Sequence, residues 1–328
     1  MSKTLRLQQL LVLLLLSPPC LSIGRAAAAA TAGAAPAFCP PAPAAAKPPA
    51  QRLDLASFKL QYPETCAGKD HPSPCEVELA ANRSFVDRTF YDLAGLMHFC
   101  VPANATPIVW PDGSPRSELR QDLHGPCPTH GTCPQSDWRL SGSGRHNMVA
   151  SLKVARMNLV VPVGSKGSFD ATGGGKSKDA TVAIGQIHGD SSPTQHGKNS
   201  SEWEMILKLQ FSQKAQTVCA HVKTAVDPQT GKADEIAAGP CAKIALGAMF
   251  GYNITMHEKR LTVLVTDHTS GAITTVADKY DYSFLTEEFL GETGFYFKAG
   301  AYCGEDKHRL PSEGCEVAFA SVNTTHTR

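Results

Sequence analysis

One short segment carries charged side chains two residues apart, the spacing that puts them on one face of a β-strand. Arg116, Glu118 and Arg120 share a face, while Ser117 and Leu119 point to the opposite one. Two guanidinium groups beside a carboxylate form a rigid cationic surface that is suited to binding a carboxylate group. The same pattern is also typical of a solvated strand with a local ion-pair ladder, so alone it does not indicate a site.

A second segment, Thr181–His188, ends on an amide and an imidazole that share a face. Strict alternation gives this face the residues Val182, Ile184, Gln186 and His188, and gives the other face Ala183, Gly185 and Ile187. An amide that binds and an imidazole that accepts a proton are components of acid–base catalysis. A single histidine is more often structural, but this pairing favours a functional site.

The third segment, Gly294–Tyr302, is apolar on one face through Phe295, Phe297, Ala299 and Ala301. Core packing explains that face. The opposite face carries Tyr296, Lys298, Gly300 and Tyr302, which places two phenols and an amine around a glycine. If the three segments are neighbouring strands, they form the polar, basic groove that a negatively charged sugar chain requires.

The elements that would position these residues are strands. Short alternating segments dominate the sequence, separated by clusters of Gly, Pro, Ser and Asp, which predicts an all-β fold with antiparallel strands. The best strand candidates are Asn147–Asn158, Thr181–His188, Trp203–Phe211, Ala245–Thr255, Arg260–Thr266 and Gly294–Tyr302. The Cys- and Pro-rich region Gln51–Arg83 predicts irregular packing at the domain edge, and Asp87–Ala94 predicts either a short strand or a helix.

The first fifty residues predict export rather than a folded core. Lys3 and Arg6 precede an apolar run at Leu10–Leu16, the layout of a secretory signal peptide, which we assign to residues 1–24. The run is shorter than the ~20 residues that span a bilayer, so no membrane anchor is expected. Residues 25–50 are rich in Ala and Pro and predict a linker. Residues 51–328 then form one β domain, and the protein is expected to be secreted.

Charge and cysteine content narrow the function. The net charge is +1, so no global field would attract nucleic acid or a membrane, and a polyanion would need a local basic cleft. Ten of the eleven cysteines follow the signal peptide, which in an exported chain predicts disulfides. We expect Cys127–Cys133, Cys219–Cys241 and Cys303–Cys315, with Cys39, Cys66, Cys75 and Cys100 pairing among themselves. Zinc ligation around Cys127 is the alternative, which export disfavours. Sequons predict N-glycosylation at some of Asn82, Asn104, Asn199, Asn253 and Asn323.

Three motifs carry a resemblance to a known family. Arg116-Ser-Glu-Leu-Arg120, Gln186-Ile-His188 and Tyr296-Phe-Lys-Ala-Gly-Ala-Tyr302 resemble, in order, the signature motifs of polysaccharide lyase family seven, the alginate lyases. The likeness runs from about Phe85 to Val322. It implies a jelly-roll β-sandwich of two curved antiparallel sheets with substrate on the concave face. The chain departs from the family at Gly304, where a glutamine is common, and this puts a subsite contact in doubt.

The resemblance implies cleavage of alginate by β-elimination, with no metal and no organic cofactor, by a monomer. Arg116 and Gln186 would neutralise the substrate carboxylate, His188 would hydrogen-bond it or act as base, and Tyr302 would protonate the leaving oxygen. On mannuronate, where H5 and O4 lie on the same side, Tyr302 could serve as both base and acid; on guluronate, His188 would be the base and Tyr302 the acid. Substrate binding is assigned to Glu118, Arg120, Lys298 and Tyr296. With Ile187 at the middle position of the motif Gln186-Ile-His188, the chain resembles family members that accept guluronate-containing blocks.

Three alternatives remain open from the sequence. A lyase for another polyuronate, such as glucuronan, would need the same groove. A non-catalytic polysaccharide-binding jelly roll would bind with the same face, although a pure binder needs no acid–base pair. A structural wall or matrix protein is favoured only by the Ala/Pro-rich leader.

Overall fold

The described part of this chain is built from strands joined by turns and loops. The computed structural model describes residues 37–65, 74–105, 114–123, 138–140, 144–160, 179–190, 205–227, 232–285, 294–304 and 310–327. Within these ranges there is one 3-10 turn, Pro49–Gln51, and no α-helix, and no helix is long and apolar enough to cross a membrane. The strands are β1 (Phe58–Thr65), β2 (Pro74–Glu78), β3 (Phe90–Leu93), β4 (Leu96–Pro102), β5 (Arg116–Gln121), β6 (Arg145–Asn158), β7 (Thr181–Asp190), β8 (Met205–Ser212), β9 (Thr217–Asp227), β10 (Lys232–Ala237), β11 (Ala242–Lys243), β12 (Phe250–His257), β13 (Arg260–Asp267), β14 (Ile273–Asp281), β15 (Gly294–Cys303) and β16 (Gly314–Thr327).

The strands form two antiparallel sheets, which confirms the predicted all-β sandwich. The nine-stranded sheet has the order β10-β9-β8-β7-β15-β5-β1-β2, with β11 pairing with β9. The seven-stranded sheet has the order β14-β13-β12-β6-β16-β4-β3. One large apolar cluster, to which both sheets contribute, forms the core. Side chains alternate between core and surface because the strand period is two, as in β12, whose core residues are Phe250, Tyr252, Ile254 and Met256.

Tight turns fix the register of the hairpins. Glu258 and Lys259 connect β12 to β13 with φ of 49° and 64°, and the flanking residues His257 and Arg260 pair directly. Two consecutive residues with positive φ form the turn whose twist matches that of the flanking strands. A similar two-residue turn joins β3 to β4. Register fixed in this way keeps the apolar side chains of each hairpin on the core face.

The predicted strand positions are largely confirmed, with three corrections. The predicted strand at Ala245–Thr255 begins only at Phe250, because Gly247, with φ of 83°, forms a turn before it. The region Gln51–Arg83, predicted to be irregular, contains β1 and β2, which form one edge of the nine-stranded sheet. The segment Asp87–Ala94, left open between strand and helix, contains β3. The strands β4, β9, β10, β11, β14 and β16 were not among the predicted ones.

The N-terminal residues that the model describes are packed on the domain. Phe38 and Cys39 are buried, and Cys39 forms a disulfide with Cys100 of β4. Farther along, the backbone N–H of Lys47 donates to the Asp92 carbonyl, and that of Asp92 donates to the Lys47 carbonyl. The last part of the Ala/Pro-rich segment at residues 25–50 therefore contacts β3 and β4.

Two of the predicted disulfides, Cys219–Cys241 and Cys303–Cys315, are confirmed. Cys75 is also disulfide-bonded. The predicted pair Cys127–Cys133, the alternative zinc ligands around it and Cys66 lie outside the described residues. Because Cys303 belongs to β15 and Cys315 to β16, their bond links one sheet to the other.

Candidate active site

The three chemistry-bearing segments are neighbouring strands in the nine-stranded sheet, in the order β7-β15-β5. Lys298 of β15 pairs with Gln186 on one side and with Arg120 on the other. Along the same strand, Tyr296 pairs with His188, and Tyr302 pairs with Arg116. All eight predicted site residues therefore lie in one patch on the face turned away from the core. We call this face the polar face; its members are Arg116, Glu118, Arg120, Gln186, His188, Tyr296, Lys298 and Tyr302.

A buried carboxylate lies at the centre of the polar face. Glu118 is 1% exposed, and its Oε1 accepts a hydrogen bond from Nε2 of Gln186. Its Oε2 lies 3.4 Å from both the Arg116 guanidinium and the Lys298 ammonium. One anion thus contacts three of the candidate substrate-binding groups. Both of its oxygens are engaged by these groups, and a carboxylate would repel an anionic sugar, so its geometry fits a supporting role.

Lys298 is a buried amine with an altered affinity for protons. Its Nζ donates to Oε1 of Gln61 over 2.9 Å in addition to the Glu118 contact. Burial, with help from Arg116 and Arg120, lowers the pKa of Lys298 to about 7, although Glu118 opposes the shift. The charge on this amine consequently changes near neutral pH.

The imidazole of His188 is held as a neutral base. Burial, followed by the positive charge of Lys298, lowers its pKa well below 6.5. Its Nδ1 lies 3.0 Å from the carbonyl oxygen of Gly189 and 2.9 Å from the phenol oxygen of Tyr296. Because a carbonyl oxygen only accepts, the Gly189 contact is a hydrogen bond in the tautomer with the proton on Nδ1, and in that tautomer Nε2 is unprotonated.

Aromatic rings orient both arginines of the polar face. The guanidinium carbon of Arg116 lies 4.0 Å from the ring centroid of Tyr302, and that of Arg120 lies 4.0 Å from the centroid of Tyr296. Such cation–π contacts restrict the cation and the ring together. Tyr296 therefore contacts both Arg120 and His188, and like Glu118 it supports its neighbours.

The strand β7 corrects one prediction from strict alternation. Val182 and Ile184 were expected to share a face with Gln186, but their side chains lie in the core with that of Ile187. The reason is a register shift between Ala183 and Gly185, which leaves Ile184 as an extra residue in the ladder with β8. This β-bulge changes the alternation. The predicted faces of β5 and β15 are confirmed.

Comparison with known proteins assigns the chain to a family. The model of the alginate lyase family matches residues 53–326, which include every residue of the polar face. This chain belongs to the alginate lyase family. A search of curated proteins found no significant match.

Solved structures of alginate lyases share the fold of this lyase. The alginate lyase from Klebsiella pneumoniae has 20% identity and a TM-score of 0.61, over 86% of this chain and 99% of that one. Alginate lyase A1-II′, a member of polysaccharide lyase family 7, has 21% identity and a TM-score of 0.58, over 86% and 99%. A substituted form of A1-II′ in complex with substrate (GGMG) has 20% identity and a TM-score of 0.58, over 87% and 98%. These structures show the jelly-roll fold, and membership of the alginate lyase family makes the chain a polysaccharide lyase.

Gly300 lets β15 approach β5 closely within the polar face of the lyase. A Cβ atom at this position would lie 2.4 Å from the Ser117 carbonyl oxygen and 2.6 Å from the Glu118 Cα. Only glycine permits this close approach of β15 to β5. Between Lys298 and Tyr302, β15 therefore contributes no side chain to this face.

Gly304, where the family commonly has a glutamine, is also closely packed. Its N–H donates to the Thr181 carbonyl over 2.8 Å, and a Cβ atom would lie 2.9 Å from that oxygen. A side chain at this position would force the end of β15 away from β7. The departure is therefore accommodated by direct backbone contact between the two strands.

Sequence reasoning missed the continuation of the polar face onto β1 and β2. Gln61 accepts from Lys298 and donates over 2.7 Å to Glu76, which Lys59 also contacts at 3.1 Å. The signal was present as the alternation of apolar and polar residues in Phe58–Tyr62. The prolines and cysteines around this segment concealed it.

Proposed function

We propose that this chain is a secreted, monomeric alginate lyase that cleaves the 1,4-glycosidic bond by β-elimination and accepts guluronate-containing blocks. The observation that carries the proposal is the joint placement of Arg116, Gln186, His188 and Tyr302 on the polar face. Binding of a polyanion alone would need the cations but not the neutral imidazole and the phenol. The proposed chemistry uses side chains only.

The first task in β-elimination is to neutralise the uronate carboxylate. The C5 proton is weakly acidic because removing it adds negative charge beside a carboxylate that is already charged. Arg116, Arg120 and Lys298 supply positive charge around the single anion Glu118, so the patch carries a net positive charge while Lys298 is protonated. Gln186 has a second amide N–H beyond the one donated to Glu118, and that N–H is available to the substrate.

The second task is to remove the C5 proton. His188 is suited to this role because its pKa lies well below 6.5 and its protonated Nδ1 leaves Nε2 as the acceptor. An imidazole that is already protonated at neutral pH could not accept the proton. The hydrogen bond to the Gly189 carbonyl keeps the ring in this orientation.

The third task is to protonate the departing O4, which we assign to the phenol of Tyr302. On β15, Lys298 and Gly300 separate Tyr302 from the strand position that is paired with His188. The base and the acid therefore lie at different positions along the polar face. In guluronate, H5 and O4 lie on opposite sides of the ring, so this placement supports guluronate as a substrate.

The residue behind the guluronate expectation, Ile187, has no direct access to the substrate. Its side chain is fully buried in the core. It can influence block preference only through the backbone that carries Gln186 and His188. Preference in this enzyme would consequently depend on where that backbone holds the two side chains.

Relatives of this lyase support a polysaccharide substrate. Alginate lyase A1-II′ was solved in complex with substrate (GGMG) and with product (GGG). At about 20% identity these structures share the fold with this chain. The groups that would bind a uronate here are those of its own polar face.

The test is a substrate panel. Purified protein is incubated separately with polyguluronate, polymannuronate and glucuronan, and ultraviolet absorbance of the new C4–C5 double bond is followed with product length. We expect absorbance to rise with polyguluronate and with mixed blocks. A rise with glucuronan alone would transfer the function to another polyuronate. Binding to alginate without any rise would show a non-catalytic binding module.

A further inference from the structure

Two β-bulges interrupt the pairing of β7 with β8, one on each side of Gln186. The first lies between Ala183 and Gly185 and leaves Ile184 without a partner in this ladder. The second lies where Ile187 pairs with Leu207 but His188 pairs with Met205, which leaves Ile206 as the extra residue on β8. In its pairing with β8, the segment Gly185–Ile187 is therefore shifted by one residue relative to the residues before it and after it.

The first bulge determines which side chains reach the polar face. Ala183 pairs with Tyr302, and Gln186 pairs with Lys298, so both belong to that face although they are three residues apart. Without the extra residue, alternation from Ala183 would turn Gln186 and His188 into the core. The arrangement of the polar face thus depends on the bulge at Ile184.

At each bulge, the hydroxyl group of a buried tyrosine donates a hydrogen bond to the backbone carbonyl of the extra residue. The phenol of Tyr252, on β12 of the seven-stranded sheet, donates to the Ile184 carbonyl over 3.2 Å. The phenol of Tyr282, which follows β14, donates to the Ile206 carbonyl. Tyr252 is 2% exposed and Tyr282 is 0% exposed. If either hydrogen bond were lost, no water molecule could take the place of the carbonyl as the partner of the phenol. Each bond satisfies a buried donor and a buried acceptor at once.

The space beneath β7 is shaped to fit Tyr252. A Cβ atom at Gly185 would lie 3.1 Å from both the Cζ and the hydroxyl oxygen of Tyr252. The phenol therefore lies directly under the backbone that precedes Gln186. A side chain at position 185 would have to push either the ring or the strand away.

We propose that Tyr252 and Tyr282 are positioning residues for the lyase reaction: their hydroxyl groups hold the two bulges on either side of Gln186, of which the first places Gln186 and His188 on the polar face and the second lies beside His188. This inference rests on the proposed function. It adds two core residues, which contact no substrate, to the determinants of catalysis. Tyr252 acts by holding the backbone that places Gln186. Tyr282 acts by holding Ile206, the residue next to Met205, which pairs with His188.

The chain offers a matched control in Tyr280. Its phenol also donates to a backbone carbonyl, that of Lys223 on β9, over 3.1 Å. Removing this hydroxyl group removes a hydrogen bond of the same kind, but at a position that does not contact Gln186 or His188. Tyr252→Phe, Tyr282→Phe and Tyr280→Phe are therefore compared with the unchanged protein for kcat, KM, the pH dependence of kcat and Tm.

We expect Tyr252→Phe and Tyr282→Phe to lower kcat by roughly 10-fold to 100-fold, because small displacements of catalytic groups have effects of this size. KM should change less than kcat, and the acid limb of the pH profile should move in Tyr282→Phe as His188 shifts. Tyr280→Phe should keep its kcat within about twofold of the unchanged enzyme, since no catalytic group moves. Circular dichroism at the assay temperature confirms that each variant is folded.

A variant that fails to fold is replaced by Gly185→Ala, which keeps both phenols and presses on Tyr252 from the strand side. Its kcat should fall in the same way. The inference is overturned if folded Tyr252→Phe and Tyr282→Phe, or Gly185→Ala, match Tyr280→Phe in kcat and pH profile. If the unchanged protein does not cleave any alginate block, it is the proposed function that fails.

Discussion

At the scale of single residues, Glu118 shows why a motif can contain a group that does not touch substrate. A carboxylate in a groove for polyanions is unfavourable for binding, yet this one is enclosed by Gln186, Arg116 and Lys298. It orients three donors while leaving the patch positive. The sequence predicted that Glu118 lies beside Arg116 and Arg120, but not that it is buried, because burial depends on β7 and β15.

Replacing Tyr302 with Phe tests the proposed acid. The ring and its contact with Arg116 remain, while the proton that would reach O4 is lost. We expect kcat on alginate to fall by at least about 100-fold, the lower range for a positioned acid–base group. Tm should not change, and Tyr62→Phe, on β1, should retain full activity. Retention of most activity by Tyr302→Phe would require another proton donor.

The pH dependence of KM tests the role of Lys298. Its pKa of about 7 means that the amine is charged below this pH and loses its charge as the pH rises through it. KM for alginate should therefore rise from about pH 6 to about pH 8, because an attractive charge beside the uronate is lost. His188 does not titrate in this window, since its pKa lies well below 6.5.

The variant Lys298→Met should show a high KM that is flat over the same pH range. Lys243→Met, at an exposed position of β11, is the control and should follow the unchanged enzyme. If Lys298→Met kept the rise in KM, the titrating group would have to be another residue.

At the scale of elements, alternation predicted β5 and β15 correctly and failed at β7. Alternation gives the face of a side chain only while the ladder is regular. The bulge at Ile184 depends on a carbonyl acceptor for Tyr252, which lies 68 residues away in the sequence. Local sequence contains no signal for such a contact. The strands β1 and β2 were missed for another reason: prolines and cysteines concealed the alternation, and the pairing of β1 with β5 and of β2 with β1 is established only in the folded sheet.

Another element-scale feature joins the two sheets and responds to acid. Nδ1 of His146 on β6 lies 2.9 Å from Nδ1 of His326 on β16, and Nε2 of His326 lies 2.8 Å from the amide of Gln121 on β5. The ring of His146 stacks on Trp138 at 4.2 Å. Burial lowers the pKa of each histidine to about 4. Both imidazoles are therefore neutral in the folded protein at neutral pH.

Acid should weaken this junction. Because the folded pKa is lower than the unfolded value of about 6.5, the unfolded state binds more protons between about pH 6.5 and about pH 4. Tm should fall as the pH drops through this window. In His146→Phe, which retains a ring over Trp138, the fall should be smaller. Calorimetry measures Tm for both proteins across this pH range. If Tm falls equally in His146→Phe and in the unchanged protein, this assignment is wrong.

At the scale of the whole molecule, the two outer faces have different characters. The polar face of the nine-stranded sheet carries the candidate site, whereas the outer face of the seven-stranded sheet carries two sequons. Asn253 and Asn323 both pair with Val149, from the strands on either side of it, which places them about 10 Å apart. Sequence showed the sequons; only the sheet order showed that two of them are neighbours.

N-linked glycans on this outer face should leave catalysis unchanged. In a eukaryotic secretory host, we expect a glycan at the exposed Asn323, detected by mass spectrometry of glycopeptides. Enzymatic deglycosylation, or Asn253→Gln with Asn323→Gln, should keep kcat/KM for alginate within about twofold, because the polar face lies on the other sheet. A larger loss would indicate that glycans support the fold or the substrate path.

The bond between Cys303 and Cys315 has a practical consequence for producing this enzyme. Cys303 directly follows Tyr302, so the bond ties the proposed proton donor to the opposite sheet. Protein made in the reducing cytoplasm of a bacterial host would lack this tie. In such preparations every catalytic side chain would be present, but Tyr302, the proposed proton donor, would be held less firmly. Expression in an oxidising compartment, checked by counting free thiols, is therefore a condition for measuring the true rate of this lyase.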